Sequence, residues 1–176
     1  MYQIIPFESR YAAQVSRLYH NAVHHIDDMH YSPLHRHAWS QAPRSTYHWN
    51  KRLSRSKAWL MLDTEQMLHD QYLCIGFINM ETHFFRRGYI DSLYVLPGYQ
   101  GKGIATRLYQ ALEAWVQTST LERLTVDASK LSKDLFLAQG FKLHHNRYQE
   151  KCGQVFHMYY LSKSFSAAPK GDNSAN

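Results

Sequence analysis

Apolar residues recur along this chain with two periods, and these periods predict where its helices and strands lie. From Ile104 the apolar positions fall three or four residues apart, which is the spacing of one face of a helix. Between residues 88 and 96 apolar side chains occupy both faces of a two-residue alternation, so we expect a central strand there. Pro97-Gly98 ends this strand, because proline cannot donate to the ladder and glycine tolerates a turn.

The same periods predict further elements on both sides of this strand and helix. Ser9 stands where the N-cap of a first helix would lie, and Gly140 stands where a left-handed residue would end the last helix. Helices are expected over residues 12–26, within 28–45, and over 47–53 and 131–139. Strands are expected over residues 2–6, 58–62, 72–80, 124–128, 141–143 and 155–161, with a polar link over 63–70. Because strands alternate with helices in the second half, the pattern favours a mixed α/β layer structure without internal repeats.

The length and composition fit one compact domain. With 176 residues and 44% hydrophobic content, the chain can bury about two-thirds of the surface that its unfolded form exposes. We assign the domain to residues 1–164 and expect residues 165–176, which are rich in Ser, Ala, Pro, Gly and Asn, to be disordered. No apolar stretch approaches the roughly 20 residues of a membrane-spanning helix, and residues 1–10 carry no export signal, so we expect a cytoplasmic protein. Cys74 and Cys152 are too few for a disulfide framework and lack zinc spacing, so both are expected to be free thiols.

The chain is basic, and its charge alone does not decide which kind of anionic partner it binds. A net charge of +6, together with twelve histidines, attracts anions such as phosphorylated cofactors or nucleic acid. Because Lys and Arg are spread along the chain rather than clustered, a solvated basic surface is favoured over a nucleic-acid interface.

The turn between the central strand and the clearest helix is the strongest candidate for a binding site. Residues 100–105 read Gln-Gly-Lys-Gly-Ile-Ala, so two side chains are absent and backbone N–H groups can approach a ligand closely. The positive end of the helix dipole and the cation of Lys102 would add to an anion site that suits a pyrophosphate. On the glycines alone, a tight strand-to-helix connection explains the segment equally well. The spacing matches neither the dinucleotide glycine pattern nor a P-loop.

Residues 89–105 resemble the central motif of the GCN5-related N-acetyltransferase (GNAT) family, in which Gln/Arg-x-x-Gly-x-Gly/Ala follows a strand and opens a helix. Gln100, Gly103 and Ala105 fill that pattern. The family's second signature, a strand and a short helix with a Gly-Phe ending, is similar to Ala128-Ser129, Phe136 and Gly140-Phe141. The N-terminal half and the last strand resemble the YafP-like branch of the family through Tyr31-Ser32-Pro33, Trp39, Trp49 and residues 155–161. The resemblance covers residues 3 to 164, and its central motif is its most specific part.

The resemblance implies an acyl-CoA N-acyltransferase fold, with a mixed, mostly antiparallel sheet flanked by helices. It also implies acetyl-CoA as cosubstrate and a primary amine of a small molecule or peptide as acceptor. The acyl arm would pair with the main chain after the central strand, and the pyrophosphate would lie on the turn. The residues expected to bind the cofactor are Leu93, Tyr94, Val95, Gln100, Gly101, Lys102, Gly103, Ile104, Ala105, Ser129 and Phe136.

Three residues of the central strand are the catalytic candidates. The N–H of Val95 would stabilise the oxyanion when the amine attacks the thioester. Asp91 would accept the proton of the amine, because the two-residue period puts it on one face with Leu93 and Val95; Tyr89, on the same face, would instead hold a water. A strand carboxylate fixed by a hydrogen bond is an equal alternative for Asp91.

Phe136 departs from the catalytic pattern of the family, and Ser129 allows two interpretations. Many family members place a tyrosine where this chain has Phe136, and phenylalanine cannot protonate the departing thiolate. Phe136 would then pack against the cofactor arm or belong to the core. Ser129 would bind the arm's amide groups or act as the N-cap of a helix beginning near Leu131.

The histidine-rich segment is not expected to bind a metal. His20 and His24 have a chelating spacing, but no second ligand pair or cysteine set accompanies them. These and the following histidines are interpreted as solvated or as a substrate rim, with Trp39, Tyr31 or Trp49 as candidates to line an acceptor pocket. A non-catalytic acetyl-CoA sensor and a nucleic-acid-binding protein are the alternative functions, and a homodimer is compatible with the sequence.

Overall fold

The computed structural model describes residues 1–165 of the chain. The predicted disordered tail, apart from its first residue, lies outside the described residues. Phe165 itself directly follows the last strand of the sheet, and its N–H donates to the carbonyl of Glu122 over 2.8 Å.

One seven-stranded sheet forms the centre of the fold. Its strands are β1 (Tyr2–Pro6), β2 (Lys57–Leu68), β3 (Gln71–Met80), β4 (Tyr89–Val95), β5 (Arg123–Ala128), β6 (Lys142–Lys151) and β7 (Gln154–Ser164). They lie in the order β1-β2-β3-β4-β5-β7-β6, and every neighbouring pair is antiparallel except β4 and β5. The expected mixed, mostly antiparallel sheet is therefore confirmed, with β4 at its middle.

Five helices cover the two faces of this sheet. They are α1 (Ala12–His24), α2 (Pro33–Trp39), α3 (Thr46–Ser54), α4 (Ile104–Gln117) and α5 (Lys133–Ala138). Two of them begin at a serine N-cap, since the side chain of Ser32 accepts from the N–H of His35 and that of Ser45 from the N–H of His48. Ser9 does not cap α1 as predicted. It begins a 3₁₀ turn, and no side chain caps that turn or α1.

The helices bury apolar side chains in a separate core on each face. On one face α4 inserts Ile104, Leu108 and Leu112 against strand residues such as Ile78. On the other face α1 and α3 pack their own apolar residues, including Trp49, against Phe77. Burying a large apolar side chain contributes about 1.5–3 kcal/mol each, so both layers hold the sheet in place.

Two hairpins are longer than the apolar pattern predicts. The predicted polar link over residues 63–70 is wrong, because β2 continues to Leu68 and turns to β3 through His69 and Asp70, both at positive φ. Likewise β6 extends to Lys151, although its residues 142–150 are all exposed. An edge strand with polar residues on both faces pairs through its backbone, so it carries no apolar alternation that a sequence could show.

Candidate functional site

The parallel strands β4 and β5 separate to form a cleft in the middle of the sheet. They pair only at Tyr89 with Thr125 and at Ile90 with Val126. Beyond these pairs the strands diverge, and a cavity of about 850 Å³ opens between them. We call it the interstrand cleft. It is lined by both strands, by α1 and α3 on one face, and by the beginning of α4 and α5 on the other.

Two backbone amides of β4 face this cleft. The N–H of Leu96 donates to the carbonyl of Ile75 over 2.8 Å, and the antiparallel register with β3 then bonds Tyr94 and Ser92 to that strand. The N–H groups of Leu93 and Val95 alternate with them and point away from β3, towards the gap left by β5. A ligand chain lying in the cleft would find these amides without a strand partner.

A β-bulge at Asp91 changes which side chains of β4 share a face. Asn79 pairs with Ser92 and Met80 with Ile90, so Asp91 is the extra residue. The prediction that Asp91 shares a face with Leu93 and Val95 is therefore wrong. Leu93 and Val95 pack on the α4 face, whereas Asp91 meets α3 on the opposite face.

Asp91 is held by an arginine that the sequence did not suggest. Arg52 of α3 donates to Asp91 Oδ2 through Nε at 2.9 Å and also through its second guanidinium nitrogen. Ser92 Oγ lies 3.3 Å from the same oxygen, and the Asp91 side chain is only 9% exposed. Within residues 1–165, no group donates a hydrogen bond to Oδ1. Asp91 is thus fixed by hydrogen bonds, as one of the two expectations has it, and it lines the cleft; its role as the base stays a prediction.

Tyr89 points to β5 rather than to Asp91. Its hydroxyl donates to Asp127 Oδ2 at 3.3 Å, and Arg147 donates to both oxygens of Asp127 at 3.1 Å. Burial and the Asp127 carboxylate raise the pKa of Tyr89 to about 12. Its hydroxyl is therefore a hydrogen-bond donor at neutral pH, and it donates to Asp127. The water that Tyr89 would hold stays a prediction.

The turn after β4 presents unused backbone amides to solvent. Gly101 and Gly103 have φ near +73° and +74°, and a Cβ added at either would meet nothing within 4 Å. Within the part of the chain that the structure describes, no group accepts from the N–H of Gly101 or from those of residues 103–106. The Lys102 ammonium lies 4.9 Å from the centre of the Tyr99 ring. The turn is an open cradle of donors at the beginning of a 14-residue helix, as an anion site requires.

The side chains around this cradle have distinct positions. Gln100 Nε2 donates to the carbonyl of Val95 over 3.2 Å, which joins the turn to the cleft. Ile104 is buried in the α4 core, so only its N–H faces outward, while Ala105 lines the cleft. Tyr94 lies on the other face, where its hydroxyl accepts from Trp39 Nε1 at 3.1 Å and burial raises its pKa well above the ordinary value.

The second signature contributes a wall of the cleft. Phe136 is 1% exposed and packs edge-to-face with Tyr109 and Phe141. Ser129 also lines the cleft, but its Oγ already accepts from the N–H of Leu131 at 3.2 Å. The expectation that Ser129 caps a helix beginning near Leu131 is wrong, because α5 begins at Lys133 and Ser129 instead stabilises the turn before it.

The paired histidines of α1 have protein partners. His20 Nδ1 lies 2.9 Å from Ser40 Oγ, and His24 Nε2 lies 2.6 Å from the carbonyl of Ser40. Among residues 1–165 there is no group of three or more His, Cys, Asp or Glu that could hold a metal ion. Trp39 and Trp49 both line the cleft, whereas Tyr31 packs behind Trp39 against Phe156.

The diverging strands β4 and β5 and the open turn before α4 have the arrangement expected of an acyl-CoA N-acyltransferase fold, and comparison with known proteins supports this class. The sequence profile described as "Acetyltransferase (GNAT) family" matches residues 20–141. The chain belongs to the GCN5-related N-acetyltransferase family. It is thus an acetyltransferase with acetyl-CoA as cosubstrate and an amine as acceptor, as the sequence predicted.

Individual relatives support this assignment. The "Uncharacterized N-acetyltransferase YafP" of Escherichia coli (strain K12) is 30% identical over 148 residues, which cover 84% of this chain and 86% of the relative. A GCN5-related N-acetyltransferase of Rhodopseudomonas palustris has a similar structure, with a TM-score of 0.77, 23% identity, and coverage of 93% and 95% of the two chains. The acetyltransferase yncA of Salmonella typhimurium, solved with acetyl-CoA, gives a TM-score of 0.69 at 17% identity, covering 97% and 99%.

The described helices also bear on the membrane prediction. None of those within residues 1–165 is long and apolar enough to cross a membrane. The cytoplasmic location and the preference against a nucleic-acid interface stay predictions.

Proposed function

We propose that the chain transfers the acetyl group of acetyl-CoA directly to a primary amine of a small molecule or peptide. The observation that carries this proposal is that, among the described residues, two groups of backbone donors are unused: those of Leu93 and Val95, and those of the turn at Gly101 and Gly103. Two such groups suit a ligand with a peptide-like arm at one end and a diphosphate at the other.

Direct attack is supported by the side chains around the cleft. None of its described lining residues is a cysteine. Burial raises the pKa of the Cys74 thiol to about 12, and Cys152 lies at the exposed turn between β6 and β7. A thiol-bound acyl-enzyme intermediate would need a cysteine in the cleft, and neither Cys74 nor Cys152 lines it.

The two faces of the cleft would receive the two substrates. The bulge puts Asp91 on the face of α1 and α3, while the beginning of α4, which would hold the diphosphate, lies on the other. The amine would therefore enter from the face of α1 and α3 and meet the thioester at Val95. The N–H of Val95 would donate to the developing oxyanion, a type of interaction worth about 2.7–4 kcal/mol.

The proposed proton path begins at Asp91. A lysine-like amine with a pKa near 10.4 is less than about 0.1% neutral at pH 7, so a proton must leave before attack. Oδ1 of Asp91 would accept it directly or through a water, with Arg52 holding the carboxylate in place. The neutral nitrogen then bonds to the thioester carbon, gives its second proton to solvent water, and the C–S bond breaks. With Phe136 in place of a tyrosine, the thiolate leaves as the anion and takes its proton from water, which its pKa near 8.5 allows.

Release of free thiol from acetyl-CoA, measured with a panel of primary amines, tests this function. We expect amine-dependent release, and we expect Asp91→Asn to lower kcat by about a hundredfold or more. Asp70→Asn removes the same charge at an exposed hairpin turn and should leave kcat unchanged. Binding of coenzyme A without thiol release for any amine would instead support the sensor. Full activity of Asp91→Asn would reject Asp91 as the base.

A further inference from the structure

The face of the cleft that would receive the acceptor carries two cations without an acidic partner. Arg44, between α2 and α3, and Lys151, at the end of β6, both line the interstrand cleft. Among residues 1–165, neither has a carboxylate within 4 Å. By contrast, Arg52 is neutralised by Asp91, and Arg147 by Asp127.

Arg44 and Lys151 each form a hydrogen bond with an uncharged group of the protein. The hydroxyl of Ser16, a buried residue of α1, donates to the carbonyl of Arg44. Lys151 Nζ donates to the carbonyl of Trp39 over 2.9 Å. These bonds fix the chain positions of the two residues but leave both positive charges uncompensated.

The charges are close enough to repel each other. The pKa of Lys151 is lowered first by burial and then by the positive charges of Arg44 and Arg52. The pKa of His48, another lining residue, is lowered by burial and by the same two arginines. Like charges at a partly buried site are energetically unfavourable, and the binding of an anion there removes this cost.

We propose that the acceptor amine also carries an oxyanion, a carboxylate or a phosphate, which binds between Arg44 and Lys151. This inference rests on the proposed function. Arg44, Lys151 and Asp91 all line the same cleft, so one molecule can contact all three. A zwitterionic acceptor would thus place its ammonium group at Asp91 and its anionic group at the two cations.

The outer mouth of the cleft would guide such a molecule inward. A second cavity of about 560 Å³ shares His48, Arg52 and Arg86 with the interstrand cleft. It adds Lys51 and Arg55, against Glu81 as the one carboxylate among its described lining residues. A mouth of mostly one sign of charge raises the local concentration of oppositely charged ligands.

The test compares amines that differ in one anionic group. We would measure kcat/KM at saturating acetyl-CoA for β-alanine against β-alaninamide, and for phosphoethanolamine against ethanolamine. We expect each anionic amine to exceed its neutral partner by about tenfold or more, the effect of one charge-assisted hydrogen bond. The pair with the larger ratio identifies the anion as a carboxylate or a phosphate. Equal or lower values for both anionic amines, while the neutral ones are acetylated, would overturn this inference but not the proposed function; no turnover of any amine would overturn both.

Two variants locate the anion site. Arg44→Gln and Lys151→Gln should each raise KM for the preferred anionic amine by about tenfold, with little change for the neutral amine, whose turnover shows that the variant is folded. Arg17→Gln removes the same charge from an exposed position of α1 outside the cleft and should leave the ratio unchanged. A preference that survives in both cleft variants would overturn the assignment.

Discussion

Replacing Gly103 by alanine should weaken the binding of coenzyme A far more than it weakens the fold. Gly103 has φ of +74°, and an alanine in that left-handed region costs about 1–2 kcal/mol. Among residues 1–165 no atom lies within 4 Å of the added Cβ, so the described part of the chain adds no steric cost to the backbone strain. For a chain of this length each kcal/mol lowers Tm by about 2–4 °C.

The binding effect has a separate origin. The new methyl group, or a turn that rotates to avoid positive φ, would move the N–H groups of residues 103–106 relative to a diphosphate. Each charge-assisted hydrogen bond lost costs about 1.5–3 kcal/mol, so losing one of them raises Kd by about tenfold or more. Isothermal titration calorimetry with coenzyme A measures this, and thermal unfolding measures the stability.

A matched control separates strain from binding. Gly153, at the turn between β6 and β7, also has φ of +74° and open space around an added Cβ. Gly153→Ala should therefore lose a similar amount of stability and keep the coenzyme A affinity. Unchanged affinity in Gly103→Ala, or an equal loss in both variants, would refute the assignment of the diphosphate to this turn.

Two further predictions concern the other side of the cleft. Arg52→Gln should lower the free energy of unfolding by about 1–3 kcal/mol, because the Asp91 carboxylate loses a guanidinium partner; chemical denaturation measures this. The same variant should lower kcat. If neither value changes, Arg52 does not position Asp91. Folding raises the pKa of the Tyr89 hydroxyl from an ordinary value of 10.0 to about 12. As pH rises, the unfolded chain therefore loses the hydroxyl proton before the folded protein does. Its contribution to stability is complete below pH 10 and is lost between about pH 10 and 12. Tyr89→Phe should therefore show a smaller decrease of stability than the wild type over that interval, measured by urea unfolding, and an identical decrease would be inconsistent with the perturbed hydroxyl.

The elements that hold the donor side of the site were predictable from sequence because each carries its own pattern. The amphipathic stripe of α4 and the doubly apolar run of β4 follow from burial, which local residue order shows directly. The Gly101 and Gly103 pair marks a turn that needs positive φ, and the structure has it there. In these segments local preference and tertiary position coincide.

The bulge at Asp91 could not be predicted in the same way. Nothing in the local residues Ile90, Asp91 and Ser92 marks a break in alternation, since there is no glycine or proline among them. The extra residue arises from how β4 pairs with Met80 and Asn79 of β3, which is a property of two strands together. A strict two-residue period therefore placed the carboxylate on the wrong face.

The residues on the acceptor side of the cleft are even harder to identify from sequence, because no local pattern marks them. Arg44 comes from a connection between helices, Arg52 from α3 and Lys151 from the end of an exposed edge strand, so 107 positions separate the first from the last. Each alone is an ordinary surface cation in sequence. The three cations meet at the interstrand cleft only because the β6–β7 hairpin packs against α2. In that contact Lys151 donates to the carbonyl of Trp39. Because the bulge turns Asp91 towards the same space, the irregularity that breaks the two-residue period puts the proposed base in one cleft with the proposed anion site. One cleft would therefore both select the charge of the acceptor and take the proton of its amine.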